Sequence, residues 1–290
     1  MAIAEVELPA TATTPAERVP AIGQGSWHMA EGRASAADEV AALQHGLDRG
    51  LSVIDTAEMY ASGGAEELVG RAIAGRREEA FLVSKVFPWN AGRESAVRAC
   101  EASLRRLGTD YLDLYLLHWP GGIPLEETLE AFERLRDDGK IRRFGVSNYD
   151  IEDMQSLWAT AGGREVSVNQ VLYHAGSRGI EHSLLPWQRE QGVPTMAYCP
   201  LAGGGNPLRH SAVTALAAEL GVAPATLLLG WVIRHAPNGA RDVVAIPKAA
   251  RSEHVDANAA ALTLTLPDDA VARLDQAFPA PTSKPPLDIV

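Results

Sequence analysis

Short apolar runs alternate with longer amphipathic stretches along this chain, and that alternation most constrains what it can fold into. The runs are Leu51-Ser-Val-Ile54, Phe81-Leu-Val83, Leu112 to Leu117, Ile141 to Val146, Val166-Ser-Val168, Thr195 to Tyr198 and Val243-Val-Ala-Ile246. Between them, apolar residues recur at helical spacing. Val40, Leu43 and Leu47 share one face of Ala36 to Asp48; Val97, Leu104 and Leu107 one face of Glu94 to Leu107; Leu129, Phe132 and Leu135 one face of Glu126 to Arg136. Strand and helix in repeated succession imply a parallel sheet with helices outside it. With Ala21 to Trp27 as a first strand there are about eight, the number that closes a (β/α)8 TIM barrel of class α/β.

Gly50, Gly75, Gly108 and Gly139 each follow a helical run, where a left-handed C-cap is wanted, and Asp150 and Ser211 stand where N-caps are expected. No linker or change of composition interrupts the pattern, so residues 1–290 read as a single barrel domain. Residues 1–19 are expected to form a short cover at the barrel floor, and the proline-rich residues 279–290 a tail outside the helices. A doubly wound nucleotide-binding sheet would announce itself by Gly-x-Gly-x-x-Gly between strand and helix. Gly23-Gln24-Gly25 lacks the third glycine, and Gly203-Gly204-Gly205 lacks the spacing.

Composition narrows the function classes. The chain has 290 residues, and its formal net charge of −11 comes with no lysine or arginine cluster, which argues against a nucleic-acid partner or an anionic membrane surface. No apolar stretch reaches the length of a membrane span. Cys100 and Cys199 form neither a Cys-x-x-Cys pair nor a ligand cluster with histidines, and Met1 to Pro20 lacks the pattern of a signal peptide. A cytoplasmic protein with reduced thiols is the expectation.

In a parallel barrel the chemistry sits at the C-terminal ends of the strands. Asp55 follows Ile54, with Tyr60 shortly after; Lys85 follows Phe81 to Ser84; His118 follows Leu114 to Leu117. Singly, each has an ordinary alternative: a turn cap, an amphipathic surface phenol, a rim charge, a satisfied core histidine. Together at one rim they make a proton-transfer device. An ammonium beside a phenol stabilises its anion, an aspartate keeps the ammonium charged and fixed, and an imidazole can orient a reacting oxygen. That reading expects Lys85 to lower the pKa of Tyr60.

The ordered set Ile54-Asp-Thr-Ala-Glu-Met-Tyr60, Ser84-Lys85, Leu117-His-Trp-Pro120, Gly145-Val-Ser-Asn148, Asn169-Gln170 and Ile246-Pro-Lys248 resembles the aldo-keto reductase superfamily from about Gly23 to Asn258. The resemblance implies an NADP(H)-dependent oxidoreductase that reduces small aldehydes and ketones by hydride transfer. It assigns Tyr60 as proton donor, Lys85 and Asp55 as its tuning pair and His118 as carbonyl orienter. It places Ser147, Asn148 and Gln170 at the nicotinamide carboxamide, Tyr198 against the nicotinamide ring, Leu201 and the glycines after it near the pyrophosphate, Lys248 at the 2′-phosphate and Asn258 at the adenine. Trp27, Phe87 and Trp119 become walls of the substrate pocket. The stretches Gly23 to Trp27, Asp55 to Tyr60, Ser84 to Asn90 and Gln170 to Glu181 most resemble the bacterial YeaE-like branch, associated with methylglyoxal reduction.

One region departs from the family pattern. Where relatives carry a serine after the lysine, an arginine six residues beyond it and a glutamate before the final asparagine, this chain has Ala249, His254 and Ala257. A histidine is a poorer phosphate ligand than a bidentate guanidinium. NADP(H) is still expected to be preferred through Lys248, with weakened discrimination and NAD(H) possible. The short tail suggests an open site, and relatives of this size suggest a monomer. Two other classes use the same residues differently. A lyase would use Lys85 as a Schiff-base former, and a cofactor-binding sensor would show little turnover. A metal hydrolase lacks ligand spacing.

Overall fold

The computed structural model describes residues 3–290. Eight parallel strands run β3 (Gln24–Gly25), β4 (Val53–Asp55), β5 (Phe81–Val86), β6 (Leu112–Leu117), β7 (Ile141–Ser147), β8 (Asn169–Leu172), β9 (Thr195–Tyr198) and β10 (Val243–Ala245), each paired with its sequence neighbours. A parallel bridge between Ile22 and Ala245 brings the first strand to the last and closes the ring. Ala245 donates to the Ala21 carbonyl and Gly23 to the Ala245 carbonyl, both at 2.8 Å. Gly25 is required at this seam: a Cβ there would stand 2.7 Å from the Ile246 carbonyl oxygen.

Outside lie α1 (Ala36–Asp48), α2 (Gly64–Ile73), α3 (Ser95–Leu107), α4 (Leu125–Asp137), α5 (Ile151–Ala159), α6 (Leu184–Gln191), α7 (Asn206–Arg209), α8 (Ser211–Leu220), α9 (Pro224–Val232), α10 (Ser252–Ala260) and α11 (Asp268–Ala277). Strands β5 and β6 are buried at every position, which is why they read as continuous apolar runs: one face fills the barrel and the other meets the helices. The four expected glycine caps all have left-handed φ, between 66° and 82°. Asp150 caps α5 through a capping box with Asp153.

Three local expectations are corrected. Ser211 is the first residue of α8, and His210 is the N-cap, its Nδ1 accepting from the Ala212 amide at 3.3 Å. Strand β8 lies at Asn169–Leu172 instead of Val166 to Val168. Ser167 and Val168 exchange single backbone bonds with β7, but the register pairs Val146 with Asn169 and Ser147 with Gln170. Two buried polar residues open this strand, so its apolar pattern is hidden. Of the first strand expected at Ala21 to Trp27, only Gln24–Gly25 pairs regularly.

At the opposite end from the site, β1 (Glu5–Leu8) and β2 (Glu17–Pro20) form an antiparallel hairpin that buries Val6, Leu8 and Val19. The first two residues of the expected cover, Met1 and Ala2, lie outside the described residues. Arg143 ties the hairpin to the barrel. It shares a sheet row with Leu114 and Val83, and its guanidinium donates to the carbonyls of Pro9 and Pro15. Residues 279–290 contain no helix or strand but are not detached. Lys284 bonds Asp150 at 2.7 Å, and Asp288 accepts from the Ser177 hydroxyl. The tail therefore lies along one side of the rim, where the sequence suggested an open site.

Candidate active site

Asp55 ends β4, Lys85 lies near the end of β5 and His118 follows β6, so strand order alone puts them side by side at one rim. Tyr60 opens a short turn after β4, and its next two residues, Ala61 and Ser62, are both left-handed, with φ of 50° and 54°.

The Lys85 ammonium is completely buried and has three acceptors: Asp55 Oδ2 at 2.7 Å, the Thr56 carbonyl at 2.8 Å and the Tyr60 hydroxyl at 3.2 Å. Three N–H donors meet three acceptors, which satisfies the charge without water. Because the Tyr60 oxygen accepts from Lys85, its own O–H must point elsewhere, away from the lysine. Burial pushes the Tyr60 phenol well above its ordinary pKa, and the Asp55 charge adds to the effect. The expectation of a lowered phenol pKa is thus corrected: Asp55 offsets the lysine's charge, and little water reaches the phenolate. Burial also draws Lys85 below its ordinary value, against the opposing pull of Asp55 and Glu66. A lowered value is what a Schiff-base lysine needs, but this nitrogen is sealed behind Asp55, Thr56 and Tyr60 and cannot meet a carbonyl carbon.

His118 stands edge-on to Tyr60, with ring centroids 5.8 Å apart. Burial, reinforced by Lys85, lowers its pKa to about 2, so the ring is neutral at every working pH. A neutral imidazole beside a phenol O–H can orient a carbonyl oxygen without competing as an acid.

Next to this group, Asn148 (φ 58°) donates to the His118 carbonyl at 3.1 Å and to Ser147 Oγ at 3.2 Å, and accepts from the Tyr198 hydroxyl at 2.8 Å. Gln170 lies opposite Ser147 in the sheet register. Ser147, Asn148, Gln170 and Tyr198 thus form one polar wall beside Asp55, Tyr60, Lys85 and His118. Leu201 is half-buried in the loop after β9, followed by Gly203 and Gly204 in left-handed turns. Lys248 lies between β10 and α10, exposed and without an ion pair among the described residues; His254 and Asn258 follow on α10, the first exposed and the second buried. Ala249 packs against the core.

Phe87 stacks on Trp89 at 4.3 Å, and Trp119 packs edgewise against both. Trp119 also touches the His118 ring at 4.9 Å, and Trp27 stacks on His28 at 4.1 Å. Trp89, 62% exposed, stands with Phe87 and Trp119, two of the three residues expected as pocket walls, while Trp27, the third, is paired with His28. Glu58 was missed altogether. Its Oε1 accepts from the Phe87 amide at 2.7 Å and from Asn90 Nδ2 at 3.1 Å, holding the turn that carries Phe87 and Trp89 in place. Its position between Asp55 and Tyr60 was the available signal.

A model of the aldo/keto reductase family matches residues 21–278. The chain belongs to the aldo/keto reductase family. This family member is an oxidoreductase built on the (β/α)8 barrel. It is 54% identical to the methylglyoxal reductase YeaE of Escherichia coli K12, over 94% of this chain and 95% of that protein. It is 34% identical to the glyoxal reductase of Bacillus subtilis, over 89% of this chain and 88% of that one. The crystal structure of a Klebsiella pneumoniae aldo-keto reductase in complex with NADPH matches it with a TM-score of 0.93 and 55% identity, covering both chains completely.

Proposed function

We propose that this aldo/keto reductase is an NADPH-preferring reductase of small aldehydes and ketones, methylglyoxal among them, with Tyr60 as proton donor. The observation that carries the reading is the commitment of all three Lys85 donors, which turns the Tyr60 O–H away from the lysine and beside a neutral His118. The E. coli relative named for methylglyoxal reduction and the Klebsiella neighbour bound to NADPH support the substrate and cofactor.

The residues present fit a nicotinamide dinucleotide. Gln170 Oε1 has no protein donor among the described residues, Ser147 and Asn148 add a hydroxyl and an amide, and Tyr198 offers a ring face. Lys248 is a free cation at the other end. When bound, the reduced nicotinamide supplies the hydride. This chain's residues do the rest: His118 orients the carbonyl oxygen in the mouth formed by Phe87, Trp89 and Trp119, and Tyr60 delivers the proton that completes the alcohol. Lys85, held by Asp55 and the Thr56 carbonyl, stabilises the phenolate left behind.

Loss of reduced-nicotinamide absorbance with methylglyoxal and a simple aromatic aldehyde, NADPH and NADH in parallel, tests the reading. Oxidation of NADPH ahead of NADH is the expected result. Tyr60→Phe should bind NADPH nearly normally and lose on the order of a hundredfold or more of its rate; near-wild-type rates would remove Tyr60 from its role.

A further inference from the structure

Asp55 is held from both sides of the barrel. Its Oδ2 takes Lys85, and its Oδ1 takes Gln170 Nε2 at 2.8 Å. Gln170 is on β8 and Asp55 on β4, four strands apart in an eight-stranded ring, so this bond crosses the lumen. Both residues are 2% exposed, and 115 positions separate them in the chain. A carboxylate paired with a lysine only accepts, so the NH₂ end of the Gln170 amide must be the end that faces it. The second hydrogen of that NH₂ has Met196 Sδ at 2.9 Å. Both donor directions are used, and Oε1 alone is left to take a donor.

We infer that Gln170 is a positioning residue for the proton donor, linking the place where a carboxamide is held to the Asp55–Lys85–Tyr60 relay. The inference rests on the proposed function and goes beyond it, because it gives a cofactor contact a second task. An N–H donor arriving at Oε1 fixes the amide plane, and the same plane aims Nε2 at Asp55. Asp55 then keeps one oxygen for Lys85, and Lys85 keeps its third donor for Tyr60. Without Gln170, Asp55 Oδ1 is a buried oxygen with no partner. It must then turn toward Lys85, and that turn moves the ammonium off the phenol.

Several charged or titratable groups face this relay. Lys85 comes from β5, Tyr60 from the turn after β4, His118 from the end of β6, and Tyr198 and Cys199 from the end of β9. Glu66 acts on Lys85 from α2. None but Lys85 and Gln170 donates to Asp55 among the side chains described, so no other group takes over when Gln170 is lost.

The test uses Gln170→Met, close in volume, and Gln170→Glu, which sets a second carboxylate against Asp55. Each is measured for NADPH Kd by tryptophan quenching and for kcat against pH at saturating NADPH, with a thermal melt as a folding control. A residue that only grips cofactor would change Kd and leave the saturated pH profile where it was. The inference expects Gln170→Met to lower saturated kcat by about tenfold and to move the limb on which Tyr60 loses its proton upward, since an ammonium displaced from the phenol stabilises its anion less. Gln170→Glu should move it further. Asp55→Asn and Gln170→Met should be non-additive in NADPH Kd, by about threefold or more, because binding couplings are reciprocal. An unmoved profile with additive Kd effects overturns the inference. Tyr60→Phe run alongside separates the two failures: an active Tyr60→Phe sinks the proton-donor reading itself, whereas an inactive Tyr60→Phe with an unmoved Gln170→Met profile sinks only the link.

Discussion

Glu58 Oε1 accepts the backbone N–H of Phe87 at 2.7 Å, so the segment that carries Tyr60, the proposed proton donor, also holds the aromatic wall of the proposed substrate mouth. The same oxygen takes Asn90, which fixes both ends of the turn that presents Trp89. Glu58→Ala should release this turn while leaving Lys85, Asp55 and Tyr60 in contact. The expected result is a severalfold rise in KM for aldehydes with a smaller fall in kcat, and a stability loss of about 1–2 kcal/mol from an unsatisfied amide. Steady-state kinetics and a urea titration read both. A fall in kcat with KM unchanged would show that Glu58 acts on the donor instead of the wall.

Ala61 and Ser62 are side-chain-bearing residues held in left-handed backbone directly after Tyr60. A Cβ in that conformation costs roughly 1 kcal/mol, which glycine does not incur. Ala61→Gly should therefore raise stability by a few tenths to about 1 kcal/mol, part of the gain being offset by the greater freedom of glycine in the unfolded chain. Ala61→Val should lower it by more than that, because a branched side chain fits left-handed backbone worst. Chemical denaturation of the pair decides it, and equal stabilities would mean that the turn carries no strain.

His118 gives a pH prediction with a definite sign. Its folded-state pKa is about 2, below the ordinary value of 6.5. Above pH 6.5 both folded and unfolded chains hold it neutral and nothing is lost. As pH falls below 6.5 the unfolded chain takes up a proton that the folded chain refuses, so stability declines toward the folded value. The contribution approaches about 1 kcal/mol per pH unit. His174, also lowered by burial, adds in the same direction. His118→Gln should flatten the stability curve between pH 6.5 and 4 relative to wild type, measured by urea unfolding at each pH. Identical slopes would mean that the imidazole titrates normally in the folded protein.

The cluster of Asp55, Tyr60, Lys85 and His118 was legible because each polar residue breaks in at the end of an apolar run, and a run that ends at the rim of a parallel barrel announces the place. Barrel closure followed from the strand count. The bond between Gln170 and Asp55 was not legible, since it depends on β4 and β8 standing opposite each other across the lumen, and that relation exists only once the ring has closed. Strand β8 itself was displaced in the sequence reading because Asn169 and Gln170, both polar and buried, interrupt its pattern. Glu58 was hidden for a different reason: its position between Asp55 and Tyr60 marked it, but its shorter bond is to the backbone amide of Phe87, which no residue type signals.

We propose that cofactor discrimination rests on the corner between β10 and α10, where the resemblance sets His254 in the place of the family arginine. Lys248 has no ion pair among the described residues, so no described carboxylate competes with a phosphate for it. Arg251, at the start of α10 and three residues from Lys248, has a side chain that is 73% exposed, and its partner, Glu253, lies at 3.6 Å. A guanidinium held so loosely can turn to a phosphate dianion and bind it in a fork, as the missing arginine would have done. Lys248→Ala should weaken NADPH binding by about tenfold or more and leave NADH nearly unchanged, because only one of the two carries a 2′-phosphate. Arg251→Ala should weaken NADPH by a smaller factor, about threefold to tenfold, and its effect should shrink in high salt, as exposed charge contacts do. His254→Ala should fall below both. Tryptophan quenching with each nucleotide at two salt concentrations gives the ranking, and an Arg251 variant that binds NADPH as wild type does would leave Lys248 as the discriminating cation.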